Sequence, residues 1–175
     1  MPRWTIEIMS SLTLDQIETG LHFRRYAHFE RDWLLNEKRP SVTFIEPEYT
    51  DGPHSEPNDD HAPTGVEPGQ KFLADVYNTV IANPEKWAKT LLVVTYDEHG
   101  GFFDHVPPLN IPATINGIEF QTTGVRVPAF LISPHVKPGQ PFNGALDHTS
   151  ILQLLDDRFV RGEGYSVAVN ERQKY

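Results

Sequence analysis

Cysteine is absent from the 175 residues. That excludes disulfides and thiolate metal sites but leaves the compartment open, because a cysteine-free chain suits reducing and oxidising surroundings alike. No apolar run approaches the roughly 18–20 residues that a membrane-spanning helix needs. The start, MPRWTIEIMSS, lacks the long apolar core of a signal peptide; in a piece of a larger protein that says nothing about export. Basic residues are the minority, 15 Lys and Arg against 24 Asp and Glu, for a formal charge of −9. Such a balance argues against nucleic acid as a partner, since a polyanion needs a basic face, and against electrostatic attachment to anionic membranes. Internal repeats are lacking too. The length suits one domain able to bury a sizeable core.

What is present centres on Leu91 to Pro108, LLVVTYDEHGGFFDHVPP. The apolar run Leu91 to Tyr96 has the β-branched content of a buried strand and stops at two adjacent acids, Asp97 and Glu98. Gly100 and Gly101 permit a tight turn or a close approach to a ligand. His99, Asp104 and His105 complete a cluster of acids and histidines at the expected carboxyl edge of a strand, where open α/β sheets build sites. A helix cap or solvated turn would explain a bare Asp-Glu pair. The added His, Gly-Gly and Asp-His favour a site, because such a cluster repels itself unless cations or donors hold it.

Around this stretch the chain reads as alternating elements. A helix is expected from Leu12, with Leu14, Ile17, Leu21, Phe29, Trp33 and Leu34 on its apolar face; His22 and His28 read as surface residues. Ser41 to Glu46 reads as a strand. Pro47 to Pro68 is a long polar loop carrying Asn58, Asp59, Asp60 and His61, which by composition alone suits an Asx-type turn with solvated acids. A helix over Pro68 to Asn83 presents Phe72, Val76, Tyr77 and Val80 to the core, and Trp87 packs where it turns into the next strand. Strand, loop, helix and strand in that order imply a βαβ unit and a parallel sheet.

Downstream, Asn110 to Thr123 suits a lid or a small hairpin. Val125 to Ser133 forms a strand in which Pro128 implies an edge, a bulge or two pieces. Asp147 caps a helix through Ile151, Leu152, Leu154 and Leu155 to Phe159, and His148 supports that helix's first turn. Residues 1–12 form a ragged start, and residues 160–175 a tail without motif.

TYDEHGGFFDHVPP closely resembles the signature of the phosphoesterase family that contains bacterial phospholipases C, plant non-specific phospholipases C and certain acid phosphatases. SVTFIEP, NDDHAP, GVRVPAFLISP and DHTSILQLL match further blocks of that family in order and spacing. The resemblance implies an alkaline-phosphatase-like, three-layer α/β/α sandwich with a mostly parallel sheet, of which residues 1–175 are the carboxyl-terminal portion of a single catalytic domain. It implies a phosphate ester or phospholipid head group as ligand, a divalent metal ion as cofactor, and secretion or periplasmic export in bacteria. Asp97 and Glu98 then lie in the metal and phosphate site. Hard carboxylate oxygens suit calcium, magnesium, manganese or zinc alike as the candidate ion.

His61 then becomes a catalytic residue that hydrogen-bonds a phosphoryl oxygen or protonates the leaving group, tasks that an imidazole's ordinary pKa of about 6.5 suits. Asp60, His99, Asp104, His105, Arg126 and His148 are expected to support these residues, Arg126 by pairing with a neighbouring acid. The family's Glu-Asn-Arg-Ser-Phe-Asp-His block and its Ser or Thr nucleophile have no counterpart in this sequence. Two expectations follow: an enzyme of which this chain holds half of the site, or a catalytically inactive remnant that binds a metal, a phosphate ligand or a partner chain. The second brings an exposed apolar sheet edge prone to self-association.

Overall fold

The computed structural model describes residues 25–35, 40–50, 56–115, 117–160, 166–172 and 174. They fall into two units, one drawn from positions up to 92 together with 132–134, the other from 93–131 and from 135 onward.

In the first unit, a 3-10 turn (Tyr26–His28) leads into helix α1 (Phe29–Leu35), and helices α2 (Glu67–Ile81) and α3 (Pro84–Trp87) follow. The apolar side chains of α2 recur every three to four residues, so they share one face. Gly69, Phe72, Val76 and Val80 are buried there, and Phe29 of α1 joins them. Tyr26 meets the Phe72 ring edge-on at 4.9 Å, an arrangement that suits aromatic quadrupoles. Burial, reinforced by the Asp75 and Glu30 carboxylates, pushes the Tyr26 phenol up to about 12. Tyr77, expected in the core, is exposed and meets Trp87 edge-on at 6.4 Å instead. Trp87 packs against the core as its place before the strand implied. The carbonyls of Trp33 and Leu34, in the last turn of α1, accept from Nζ of Lys86. Pro68 stands at the start of α2 and Pro84 opens α3, behind the Asn83 cap, where a missing N–H costs nothing.

Two expectations for this unit change. Leu12 to Arg24, with His22, lies outside the described residues, so only Phe29 and Trp33 of the first stripe are seen against the core. Ser41 to Glu46 forms no ladder among the described residues; Phe44 is exposed, while Ile45 packs on the core. The segment is tied through Glu48, whose N–H and carbonyl both bond Asn58.

The second unit holds strand β1 (Leu92–Thr95, its first residue belonging to the other unit), β2 (Ala113–Ile115), β3 (Ile118–Phe120) and β4 (Ala129–Ile132, its last residue belonging to the other unit). β1 neighbours β4 in one two-stranded sheet; β2 and β3 pair antiparallel, Ala113 opposite Phe120 and Thr114 opposite Glu119. The excursion after Asn110 is therefore a hairpin. Its base is closed by the Thr123 N–H on the Leu109 carbonyl and by the Leu109 N–H on Thr123 Oγ1. β4 begins only after Pro128, which has no N–H to give a ladder. The mostly parallel sheet expected of a three-layer sandwich is thus not what the described residues build: they form a mixed α/β arrangement with two small sheets. The side chains of β1 are half-buried rather than enclosed on both faces, as they would be in a larger parallel sheet.

Helix α4 (His148–Leu155) starts at Asp147, as expected, and runs on as a π turn over Asp156–Val160. Helix α5 (Val167–Arg172) arises in the stretch read as a tail and packs on α4 through buried Val169.

Candidate functional site

Strand β1 ends as the sequence implied, with exposed Asp97 and Glu98 beyond it. The next four residues form a type I′ turn. The Phe102 N–H bonds the His99 carbonyl at 3.0 Å, and both central residues have positive φ, Gly100 at 63° and Gly101 at 77°. Side chains with a Cβ resist that conformation, so the Gly-Gly pair is a backbone requirement. His99 closes the turn a second time, its Nδ1 lying 3.1 Å from the Phe102 carbonyl. A carbonyl can only accept, so Nδ1 carries the proton and Nε2 is the basic nitrogen of the neutral ring.

The turn holds the acids directly. Glu98 Oε2 accepts from the Gly100 N–H at 2.9 Å, and Asp97 Oδ1 accepts from the Glu98 N–H at 3.0 Å. Each carboxylate therefore has a fixed direction. Beyond the turn Phe103 is 93% exposed.

Asp104 has a different role. Its side chain is only 13% exposed, and Oδ2 takes a 2.6 Å bond from Arg126 Nε. Oδ1 accepts from the Val106 N–H at 3.0 Å and lies 3.6 Å from His105 Nδ1. The Val106 N–H first, then Arg126, hold this carboxyl below its ordinary value. Arg126 thus pairs with a neighbouring acid, as its structural reading required. His148 reaches further than its own helix turn: Nε2 donates to the Tyr96 carbonyl at 2.7 Å. That carbonyl stands at the peptide leading into Asp97.

In the other unit, the Asn58 to His61 loop is an ordered cradle. Asp59 Oδ1 accepts from the His61 N–H at 3.3 Å, the Asx turn anticipated from composition. Asp60 is not a solvated acid: it adopts φ 62°, and its carboxylate lies over Gly69 in the first turn of α2. A Cβ built on Gly69 would stand 2.0 Å from Asp60 Oδ1. The first turn of a fifteen-residue helix, with its orphan N–H groups and positive dipole end, favours an anion there. His61 is exposed; its Nδ1 donates to the Ala62 carbonyl at 2.7 Å, which leaves Nε2 as the basic nitrogen. The His61 carbonyl accepts from the Thr64 N–H at 3.0 Å.

The second unit therefore brings together Asp97, Glu98, His99, Asp104, His105, Arg126 and His148, while Asp60 and His61 belong to the first. The oxygens of Asp97 and Glu98 have the chemistry of ligands for a hard divalent ion. They do not complete a cage: among the described residues, no three His, Asp or Glu side chains converge to hold a metal. Sequence reasoning missed Gly69, whose lack of a side chain admits Asp60, and Arg172, which binds the Asp147 cap. Glycine in the first turn of an amphipathic helix was the available signal for the first; nothing in the sequence marked the second.

The profile of the phosphoesterase family matches residues 10–160. The chain is 38% identical over 133 residues to non-specific phospholipase C4 of Arabidopsis thaliana, covering 70% of this chain and 24% of that protein. It is 43% identical over 120 residues to non-specific phospholipase C6 of the same plant, covering 63% and 23%. With the non-hemolytic phospholipase C of Pseudomonas aeruginosa it shares 32% identity over 169 residues, covering 82% and 23%. No solved structure matches significantly. The chain spans about a quarter of the length of these relatives. A match over this much of the sequence makes the chain a member of the phosphoesterase family.

Proposed function

We propose that this chain forms part of a metal-dependent phosphoesterase site of phospholipase C or acid phosphatase type, the carboxyl-terminal portion of an alkaline-phosphatase-like, three-layer α/β/α domain. The observation that carries this reading is the pair Asp97 and Glu98, held at the end of β1 by the type I′ turn, in a chain of this family. A phosphate ester undergoing transfer develops charge on oxygens that must be met by cations or donors. In this reading Asp97 and Glu98 give two hard oxygen ligands to a divalent ion whose other ligands lie beyond the described residues. When bound, that ion supplies charge neutralisation at the phosphoryl group.

The chain's own residues do the rest. His99 and Gly100 keep the carboxylates aimed, and the Asp104–Arg126 pair, with His105 beside it, fastens the segment that follows the turn. His61 serves the phosphoryl group: with Nδ1 committed to Ala62, Nε2 donates to a phosphoryl oxygen or protonates the leaving oxygen when the ring is charged. Asp60 fixes the backbone that carries it. The nucleophile is supplied from outside the matched blocks.

A second reading rests on β4, whose Phe130 and Leu131 are half exposed. Here the chain binds ligand without turnover and pairs with a further chain, or with itself, along that sheet. Hydrolysis of an aryl phosphate and an aryl phosphocholine by the purified chain, with calcium, magnesium, manganese or zinc, tests the first reading. Turnover abolished by Asp97→Asn and by His61→Gln supports the metal site and puts a nucleophile within the chain. Asp97-dependent ion binding without turnover is the outcome expected of a half-site; turnover or ion binding unchanged by Asp97→Asn overturns the first reading, and self-association without Asp97-dependent binding favours the second.

A further inference from the structure

Helix α5 carries a residue that no motif singles out. Arg172, at its end, donates from Nε to Asp147 Oδ2 at 2.6 Å, with the two side chains only 21% and 22% exposed. The other oxygen, Oδ1, accepts from the Thr149 N–H at 2.9 Å and from Thr149 Oγ1 at 2.6 Å. One carboxylate therefore spans two helices. Partial burial opposes its charge, yet the Thr149 and Arg172 donors outweigh burial and hold the carboxyl below its ordinary value. Asp147 is the cap of α4, closed as a capping box with Ser150. The first residue of α4, His148, gives its Nε2 proton to the Tyr96 carbonyl at 2.7 Å, one peptide before Asp97.

These contacts form a continuous chain from α5 to the acid pair. The rotation of the Asp147 carboxylate is fixed at both oxygens, the cap sets where α4 begins, and the start of α4 sets where the imidazole meets the strand end. Arg172 is not needed merely to fasten α5. Buried Val169 packs that helix on α4, and Gln153 Nε2 bonds the Val169 carbonyl at 3.4 Å. What Arg172 adds is direction at the cap. We infer that Arg172 is a positioning residue for Asp97 and Glu98, acting through Asp147 and His148 on the Tyr96 carbonyl. The inference rests on the reading of Asp97 and Glu98 as ion ligands. It gives the carboxyl-terminal helix a task in the site.

The test uses the intact chain and two readouts. The first is nuclear magnetic resonance of the His148 ring nitrogens and of the Glu98 and Gly100 amides, which donate to the Asp97 and Glu98 carboxylates. Wild type is expected to hold His148 as the Nε2–H tautomer. Arg172→Gln is expected to mix its tautomers and shift both amides, with the far-ultraviolet circular dichroism unchanged, and Arg172→Lys to restore most of the wild-type signals. His148→Gln retains a side-chain N–H and keeps the amides near their wild-type positions; His148→Leu does not. The second readout is manganese(II) affinity, expected to weaken about tenfold in Arg172→Gln, as when a group that orients a metal ligand is removed.

Unchanged His148 and amide signals in Arg172→Gln would overturn the relay. Wild-type signals as described, but manganese(II) binding indifferent to Asp97→Asn, would overturn the metal reading and with it the task assigned to Arg172. The two failures are therefore distinguishable.

Discussion

Replacing Gly69 with alanine sets two physical effects against each other. Helix propensity alone predicts a gain of up to about 1 kcal/mol, because alanine loses less backbone entropy than glycine on ordering. The geometry predicts a loss. The new methyl would lie 2.0 Å from Asp60 Oδ1 and 2.6 Å from its Cγ, so the carboxylate has to leave the first turn of α2. Overpacking of this kind costs about 1–3 kcal/mol, and removing an anion from a helix start costs about 0.3–1 kcal/mol more. The expected balance is a destabilisation of about 0.3–4 kcal/mol, from losses of about 1.3–4 against a gain of up to about 1. Urea unfolding of wild type, Gly69→Ala, Asp60→Gly and the double variant closes a cycle. With Asp60 cut back to glycine, the alanine loses the carboxylate that crowds it and turns stabilising, so the two substitutions couple by more than about 1 kcal/mol. A Gly69→Ala chain more stable than wild type, or simple additivity, would refute the placement of Asp60 against α2.

Four further outcomes are expected. Gly101→Ala, at φ 77° with open space around it, destabilises by about 1–2 kcal/mol through backbone strain alone, while Gly101→Asn costs less; chemical unfolding of both checks this. Asp104 titrates below an ordinary aspartate, and Arg126→Gln raises its carboxyl value in a carbon-13 titration. Its folded value is depressed, so its stabilisation is present above about pH 4, the unfolded range, and is lost as acid carries the pH down through the folded value. Asp147→Ala removes a helix cap and costs about 1–2 kcal/mol in urea unfolding. Tyr26 ionises near 12, above an ordinary phenol, in an alkaline absorbance titration, and Tyr26→Phe removes that late step.

The sequence was most legible where local chemistry decides structure. The end of β1 before Asp97, the Gly-Gly turn, the capping Asp147 and the α2 stripe of Phe72, Val76 and Val80 each follow from spacing or backbone sterics, and the structure has them. Legibility failed where a partner distant in sequence decides. Ser41 to Glu46 has strand composition, yet a strand needs a ladder, and among the described residues the segment forms none; Ile45 packs on the core and Glu48 is tied to Asn58 instead. The sequence places His148 in its own helix turn, because the Tyr96 carbonyl that it meets lies 52 positions away along the chain. Arg172 stood in an unremarkable tail, and its role depends on a cap 25 residues earlier. The Asn-Gly dipeptide at positions 116 and 117 would have settled the excursion after Asn110 as a hairpin, since that pair favours type I′ turns.

In the proposed phosphoesterase site Asp97 and Glu98 act together as ligands for a divalent ion. Calorimetric titration of the chain with manganese(II), beside Asp97→Asn, Glu98→Gln and Asp104→Asn, tests this most directly. One binding event is expected, abolished by either of the first two substitutions and retained in Asp104→Asn, because Asp104 is committed to Arg126 and Val106. Binding of equal strength in wild type and Asp97→Asn would contradict it.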